Sequence, residues 1–121
     1  MRILLADDSV LILERLSEML ALNKQIEIVS LCKNGNETLE AIRNLKPDLA
    51  IIDLKMPGLT GLQVLSEIRK EDKSLKFILL TLHTSDSYRQ MAMEAGADFF
   101  FSKLDDFEKV ATLVNEMISN N

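Results

Sequence analysis

The sequence predicts an α/β fold in which five βα units, (βα)5, form one doubly wound, five-stranded parallel sheet with helices on both faces. Three observations carry that expectation. Short apolar runs alternate with amphipathic stretches five times along 121 residues, with no repeat, linker or low-complexity tract between them. The run Leu49-Ala50-Ile51-Ile52 is apolar at consecutive rather than alternate positions, as in a strand covered on both faces. Turn and capping residues stand where each unit passes from strand to helix.

Arg2 to Ala6 reads as the first strand and stops at Asp7-Asp8. Ser9 can then cap a helix that turns Leu13, Leu16 and Leu20 inward at i, i+3 and i+7. Ile26 to Leu31, rich in β-branched residues, is the second strand. Asn36 is read as the cap of a second helix carrying Leu39, Ile42 and Leu45, which Pro47 ends. Leu49 to Leu54 is the third strand. Thr60 and Gln63 have the spacing of a capping box for a helix that buries Val64, Leu65 and Ile68. Lys76 to Leu82 is the fourth strand, and Thr84 to Ala95 a helix that Gly96 stops. Asp98 to Ser102 is the fifth strand. Asp105 and Glu108 have the spacing of a second capping box, before a helix with Phe107, Val110, Val114 and Met117 on one face. Alternating strands and helices imply parallel pairing with right-handed crossovers. The leading order is the flavodoxin-like 2-1-3-4-5, with ligands beyond the carboxyl ends of the strands at the switch between strands 1 and 3.

Composition removes several classes of function. A hydrophobic fraction of 47% excludes a disordered chain. A net charge of −5 argues against direct contact with nucleic acid, which requires a basic surface. No apolar run approaches the ~20 residues of a membrane span, and the N-terminus is too short in apolar residues for a signal peptide. Cys32 is the only cysteine, so no internal disulfide can form and a cytoplasmic setting is expected.

In a parallel sheet all carboxyl ends share one edge. Strand 1 delivers Asp7 and Asp8 there, strand 3 delivers Asp53, strand 4 delivers Thr81 and strand 5 delivers Lys103. Each has a plain structural reading of its own. Asp7-Asp8 before Ser9 suits a helix N-terminus, and Asp53 before Met56-Pro57-Gly58 suits a turn. Together they form a site of three carboxylates, one hydroxyl and one ammonium. Clustered carboxylates repel one another, and a hard divalent cation such as Mg2+ relieves the repulsion. A carboxylate there can act as a nucleophile toward phosphorus and form an aspartyl phosphate.

These residues closely resemble the receiver domain of two-component response regulators. The likeness covers almost the whole chain. It rests on Asp7-Asp8, on Asp53 with Met56-Pro57-Gly58 and Gly61, on Thr81, on Ala95-Gly96-Ala97-Asp98 and on Lys103. It implies that Asp53 is the phosphoacceptor, charged by a sensor histidine kinase, a phosphotransfer protein or a small phosphodonor. Asp8, Asp53 and the Lys55 backbone carbonyl would hold Mg2+, with Asp7 acting through water. Thr81 and Lys103 would contact the phosphoryl group. Thr81 would then shift and Phe100 change rotamer, altering the surface of the fourth helix, fifth strand and fifth helix. That surface would meet a downstream effector or a linked output domain, or form a homodimer. The chemistry is self-directed, so no enzyme acting on an external substrate is expected.

The chain departs from the family at three places. Leu104 follows Lys103 where proline is usual, so a trans bond is expected. Leu82 stands where a small residue is usual and would narrow access to Asp53. Phe100 lacks the hydroxyl of the commoner tyrosine. Lys55 and His83 flank the site, at positions that tune phosphoryl lifetime and partner choice in the family. Residues 1–121 read as one receiver domain, either a complete regulator or the receiver part of a longer chain. Two alternatives stand beside the switch. One is a phosphorylation-independent interaction module of the same fold. The other is a phosphohydrolase acting through Asp53, which lacks a second acid/base at Lys55 and a cap over the substrate.

Overall fold

The computed structural model describes residues 1–120. The strands are β1 (Arg2–Ala6), β2 (Glu27–Cys32), β3 (Leu49–Ile52), β4 (Lys76–Thr81) and β5 (Phe99–Ser102). The helices are α1 (Val10–Ala21), α2 (Gly35–Leu45), α3 (Gly61–Glu71), α4 (Asp86–Ala95) and α5 (Phe107–Ser119). All strand pairs are parallel and their order is β2-β1-β3-β4-β5, as the sequence predicts.

The period of two along each strand sorts side chains into two cores. Ile3, Leu5, Leu49, Ile51, Ile78 and Leu80 pack with Leu13, Leu16 and Leu20 of α1 and with Val110 and Val114 of α5. Leu4, Ala6, Ala50, Ile52, Phe77 and Leu79 face Ile42 of α2, Val64, Leu65 and Ile68 of α3, and Ala92 of α4. The inner strands β1, β3 and β4 are thus apolar at nearly every position because both faces are covered. β5 follows the same rule. Phe100 is buried in the second core, whereas Phe99 and Phe101 are half-buried in the first and stack on each other at 6.2 Å. β2 lies at the edge, with Glu27 and Leu31 exposed, and ends at the buried thiol of Cys32.

Most helix signals sit where the sequence puts them. Ser9 Oγ accepts from the Ile12 backbone N–H at 3.3 Å. Thr60 and Gln63 form the reciprocal capping box. α4 closes at Gly96, whose φ of 108° is a conformation other residues rarely adopt.

Four expectations are corrected. The cap of α2 is Asn34, not Asn36: Asn34 Oδ1 accepts from Glu37 N–H at 2.8 Å. Asn36 lies inside the first turn, and its Oδ1 accepts from Leu59 N–H at 3.1 Å. The Asp105–Glu108 capping box does not form. Asp106 holds the cap position without a capping bond, because its carboxylate instead accepts from Ser102 N–H at 2.9 Å and Lys109 Nζ at 3.0 Å. α4 begins two residues later than Thr84, at Asp86, because Ser85 Oγ takes the Tyr88 N–H. Asp98 precedes β5 rather than starting it. Its carboxylate accepts from Phe77 N–H at 2.9 Å and from the Arg69 guanidinium at 3.0 Å, tying β4, α3 and the β5 entry together.

Gly61 fixes the distance between α3 and the end of β3. Its N–H donates to Leu54 O at 2.8 Å, and a Cβ placed there would lie 2.1 Å from Asp53 O. Backbone on both sides leaves no flexible end to give way. Gly61→Ala should therefore lower stability by about 1–3 kcal/mol through overpacking, read as a lower urea midpoint with unchanged slope.

Candidate functional site

β1 and β3 each extend their pairing by one residue beyond the last strand position. Asp7 N–H donates to Cys32 O at 2.9 Å and Asp53 N–H to Ala6 O at 3.0 Å. The two backbone bonds set Asp7 and Asp53 side by side at the carboxyl edge. Both are buried, at 2% and 6% exposure, whereas Asp8 faces solvent. Lys103 N–H donates to Thr81 O at 3.0 Å, so the end of β5 is registered on β4 and the lysine enters from the far side.

The Lys103 ammonium bridges the pair. Nζ lies 2.6 Å from Asp7 Oδ2 and 2.8 Å from Asp53 Oδ2, with its side chain 7% exposed. Asp7 Oδ1 also accepts from Ser9 N–H at 2.9 Å, and Asp53 Oδ1 from Lys55 N–H at 3.4 Å. Burial pushes the Asp7 carboxyl above its ordinary range, against the opposing pull of Lys103 and Ser9. Burial would lower the Lys103 ammonium, but its hydrogen bonds to Asp53 and Asp7 outweigh this and hold it above its ordinary value.

Three carboxylates and one ammonium leave an excess of negative charge. An oxygen from each of Asp7, Asp8 and Asp53 lies within 4.8 Å of the others. All-oxygen donors at this spacing, with one solvent-facing carboxylate, fit a hard divalent cation that retains water ligands. The sequence-predicted site residues therefore do converge. Thr81 is fully buried, and its Oγ1 accepts from His83 N–H at 3.1 Å, leaving the hydroxyl proton free to be directed elsewhere. Phe100 is buried beneath the Arg89 guanidinium, which lies 4.7 Å from the ring centroid and donates to Phe100 O at 3.3 Å. The Lys103–Leu104 bond is trans, as expected.

A cleft of about 440 Å3 opens above these groups. Asp8, Asp53, Lys55 and Lys103 line it, with Leu82, His83 and Leu104 at its rim. Leu82 and Leu104 are 57% and 82% exposed, so they flank the opening rather than fill it. A larger depression of about 740 Å3 lies at the opposite edge, among Met1, Asp48, Lys76 and Met117, and gathers no comparable set of groups.

Sequence reading missed two residues of the cleft wall, Ile12 and Arg15. They stand three apart in the first turns of α1, a spacing that puts both on one helix face just after Asp8 and that could have revealed them. Arg89 was also missed. Nothing local marks it, because its partner Phe100 comes from another element.

The family model of the response regulator receiver domain matches residues 3–115. A protein-glutamate methylesterase/protein-glutamine glutaminase from Carboxydothermus hydrogenoformans is 38% identical over 97% of this chain and 35% of its own length. The transcriptional regulatory protein DesR of Bacillus subtilis is 29% identical over 97% of this chain and 58% of its own. The chain thus spans about a third to somewhat over half the length of these curated relatives. Among solved structures, the response regulator domain of Thermotoga maritima CheB superposes with a TM-score of 0.86 at 28% identity, covering 99% of this chain and 94% of that one. A DNA-binding response regulator of the LuxR family from Staphylococcus aureus superposes with a TM-score of 0.88 at 28% identity, covering 95% and 96%. The fold, the acidic edge and the family match lead to one conclusion: the chain belongs to the receiver domains of two-component response regulators.

Proposed function

We propose that the chain is a phosphorylation-controlled switch in which Asp53 accepts a phosphoryl group from a histidine kinase or phosphotransfer protein. One observation carries this reading. Asp53 lies at the base of an open cleft with Lys103 Nζ 2.8 Å from one carboxylate oxygen and two further carboxylates beside it. A carboxylate so held is oriented for in-line attack, and phosphoryl transfer depends chiefly on positioning and charge stabilisation.

Asp8, the Asp53 side chain and the Lys55 backbone carbonyl would hold Mg2+, with Asp7 acting through water. When bound, Mg2+ supplies positive charge to the oxygens of Asp53 and of the incoming phosphoryl group. The residues of the chain do the rest. An Asp53 oxygen bonds to phosphorus as the bond to the donor breaks. Lys103 turns from its carboxylates toward a phosphoryl oxygen, a charge-assisted contact. The Thr81 hydroxyl donates to another phosphoryl oxygen. Its inward shift vacates space beside Phe100, and the surface of α4, β5 and α5 changes for a partner or a linked output domain. Met91 and Met93, both about half exposed on α4, suit an adaptable contact there, a homodimer included. The exposed Leu82 and Leu104 favour a second reading, a docking module that works without phosphorylation.

Intact-protein mass separates the two. With Mg2+ and acetyl phosphate, and with the cognate kinase as a second donor, the parent should gain one phosphate-sized increment and Asp53→Ala none. No gain from either donor would favour the docking module.

The crowding of charge makes a second prediction. Asp7→Asn keeps an oxygen for Ser9 N–H but removes a carboxylate whose folded pKa lies above the ordinary 3.8. Where a carboxyl's pKa is raised by folding, the folded state binds the extra proton, so stability falls as pH rises from the unfolded value through the folded one. Asp7→Asn should therefore melt higher than the parent at pH 7. The gap should close as pH falls toward 3.8, and Mg2+ should raise the melting temperature of the variant less than that of the parent.

A further inference from the structure

Lys55 makes no ion pair among the described residues. Its ammonium instead lies 5.4 Å from the ring centroid of Tyr88, in the first turn of α4. His83 meets the same ring edge-on at 5.8 Å and 61°. Tyr88 is half-buried against the core that contains Phe100, and the next residue, Arg89, sits over the Phe100 ring. Two consecutive residues of α4 thus each make a cation–π contact. One reaches to the rim of the acid cleft, the other to the buried aromatic of β5.

The first contact is weak and replaceable. An exposed cation–π pair holds an ammonium only slightly better than water does. A phosphoryl group on Asp53, two residues before Lys55, would replace one carboxylate charge with close to two phosphoryl charges, a net gain of about one, and would present three strong acceptor oxygens. We propose that Tyr88 is a positioning residue that holds the Lys55 ammonium at the cleft rim in the resting state and yields it to the phosphoryl group, so that occupation of Asp53 loosens the first turn of α4. The inference rests on the phosphoryl-acceptor reading and adds a connection between Asp53 and α4 that runs over the surface, separate from the path through Thr81 and Phe100. Because the ring competes for Lys55, removing it makes the ammonium more available to an incoming phosphoryl group, by about two- to fivefold in population.

Nuclear magnetic resonance of 13C-lysine-labelled protein tests this directly. The Lys55 ε-methylene signal is the one lost in Lys55→Met. In the parent and in Tyr88→Phe it should be displaced upfield by the ring current, and in Tyr88→Leu it should lie at the unperturbed lysine position. After Mg2+ and acetyl phosphate have produced a phosphate-sized mass gain, it should move to the unperturbed position in the parent too. Tyr88→Leu should also be phosphorylated about two- to fivefold faster than the parent, a difference absent in Tyr88→Phe and erased by Lys55→Met. Should Tyr88→Leu fail to fold, the parent, Tyr88→Phe and Lys55→Met still carry the test. An undisplaced Lys55 signal in the resting parent overturns the inference. A displaced signal that persists after the mass gain overturns it while leaving the switch in place. No mass gain from acetyl phosphate or the kinase removes the switch, and the inference with it.

Discussion

One ammonium between two buried carboxylates sets the terms for the rest of the molecule. Asp7 and Asp53 would not share a dry edge without a cation, and Lys103 supplies it at 2.6 and 2.8 Å. Its position depends on three strand ends agreeing to within a residue. β1 must hand Asp7 to Cys32, β3 must hand Asp53 to β1, and β5 must hand Lys103 to Thr81, each through a backbone hydrogen bond. The parallel sheet is therefore the device that brings residues 7, 53 and 103 together. With Asp8 beside them, three carboxylates stand against one ammonium, and the edge keeps an excess of negative charge.

The two cores divide the labour around that edge. α1 and α5 cover one face with aliphatic side chains, and the start of α1 brings Ser9 to Asp7. The other face carries every residue that relates the cleft to α4: Thr81 beneath His83, Phe100 beneath Arg89, and Tyr88 beneath Lys55. The acid edge thus has a packed apolar layer on each side, and on the α4 side that layer is crossed by polar and cation–π contacts.

The parts legible in the sequence were those that a single element determines. The run from Leu49 to Ile52 marked a doubly covered strand without help from elsewhere, and the Thr60–Gln63 spacing marked a cap that forms as written. Asp7, Asp8, Asp53, Thr81 and Lys103 were legible together because strand ends in a parallel sheet must meet. What failed to show was settled by competition between elements. Asp106 gives its carboxylate to Ser102 N–H and the Lys109 ammonium rather than to a capping N–H of α5, and Asn36 serves Leu59 while Asn34 caps α2. Asp98 leaves β5 to serve Phe77 and Arg69. For Asn36 and Asp98 tertiary packing selected a partner far along the chain, and for Asp106 the end of β5 just before it took the carboxylate first.

The thiol of Cys32 has a practical consequence. It is wholly enclosed at the end of the edge strand, and burial raises its pKa, so almost no reactive thiolate meets solvent while β2 is in place. Its carbonyl is also the acceptor that holds Asp7. Alkylation of this one sulfur therefore requires the margin of the sheet to open, and the modification rate becomes a clock for native-state breathing at the same hydrogen bond that seats the acid cluster.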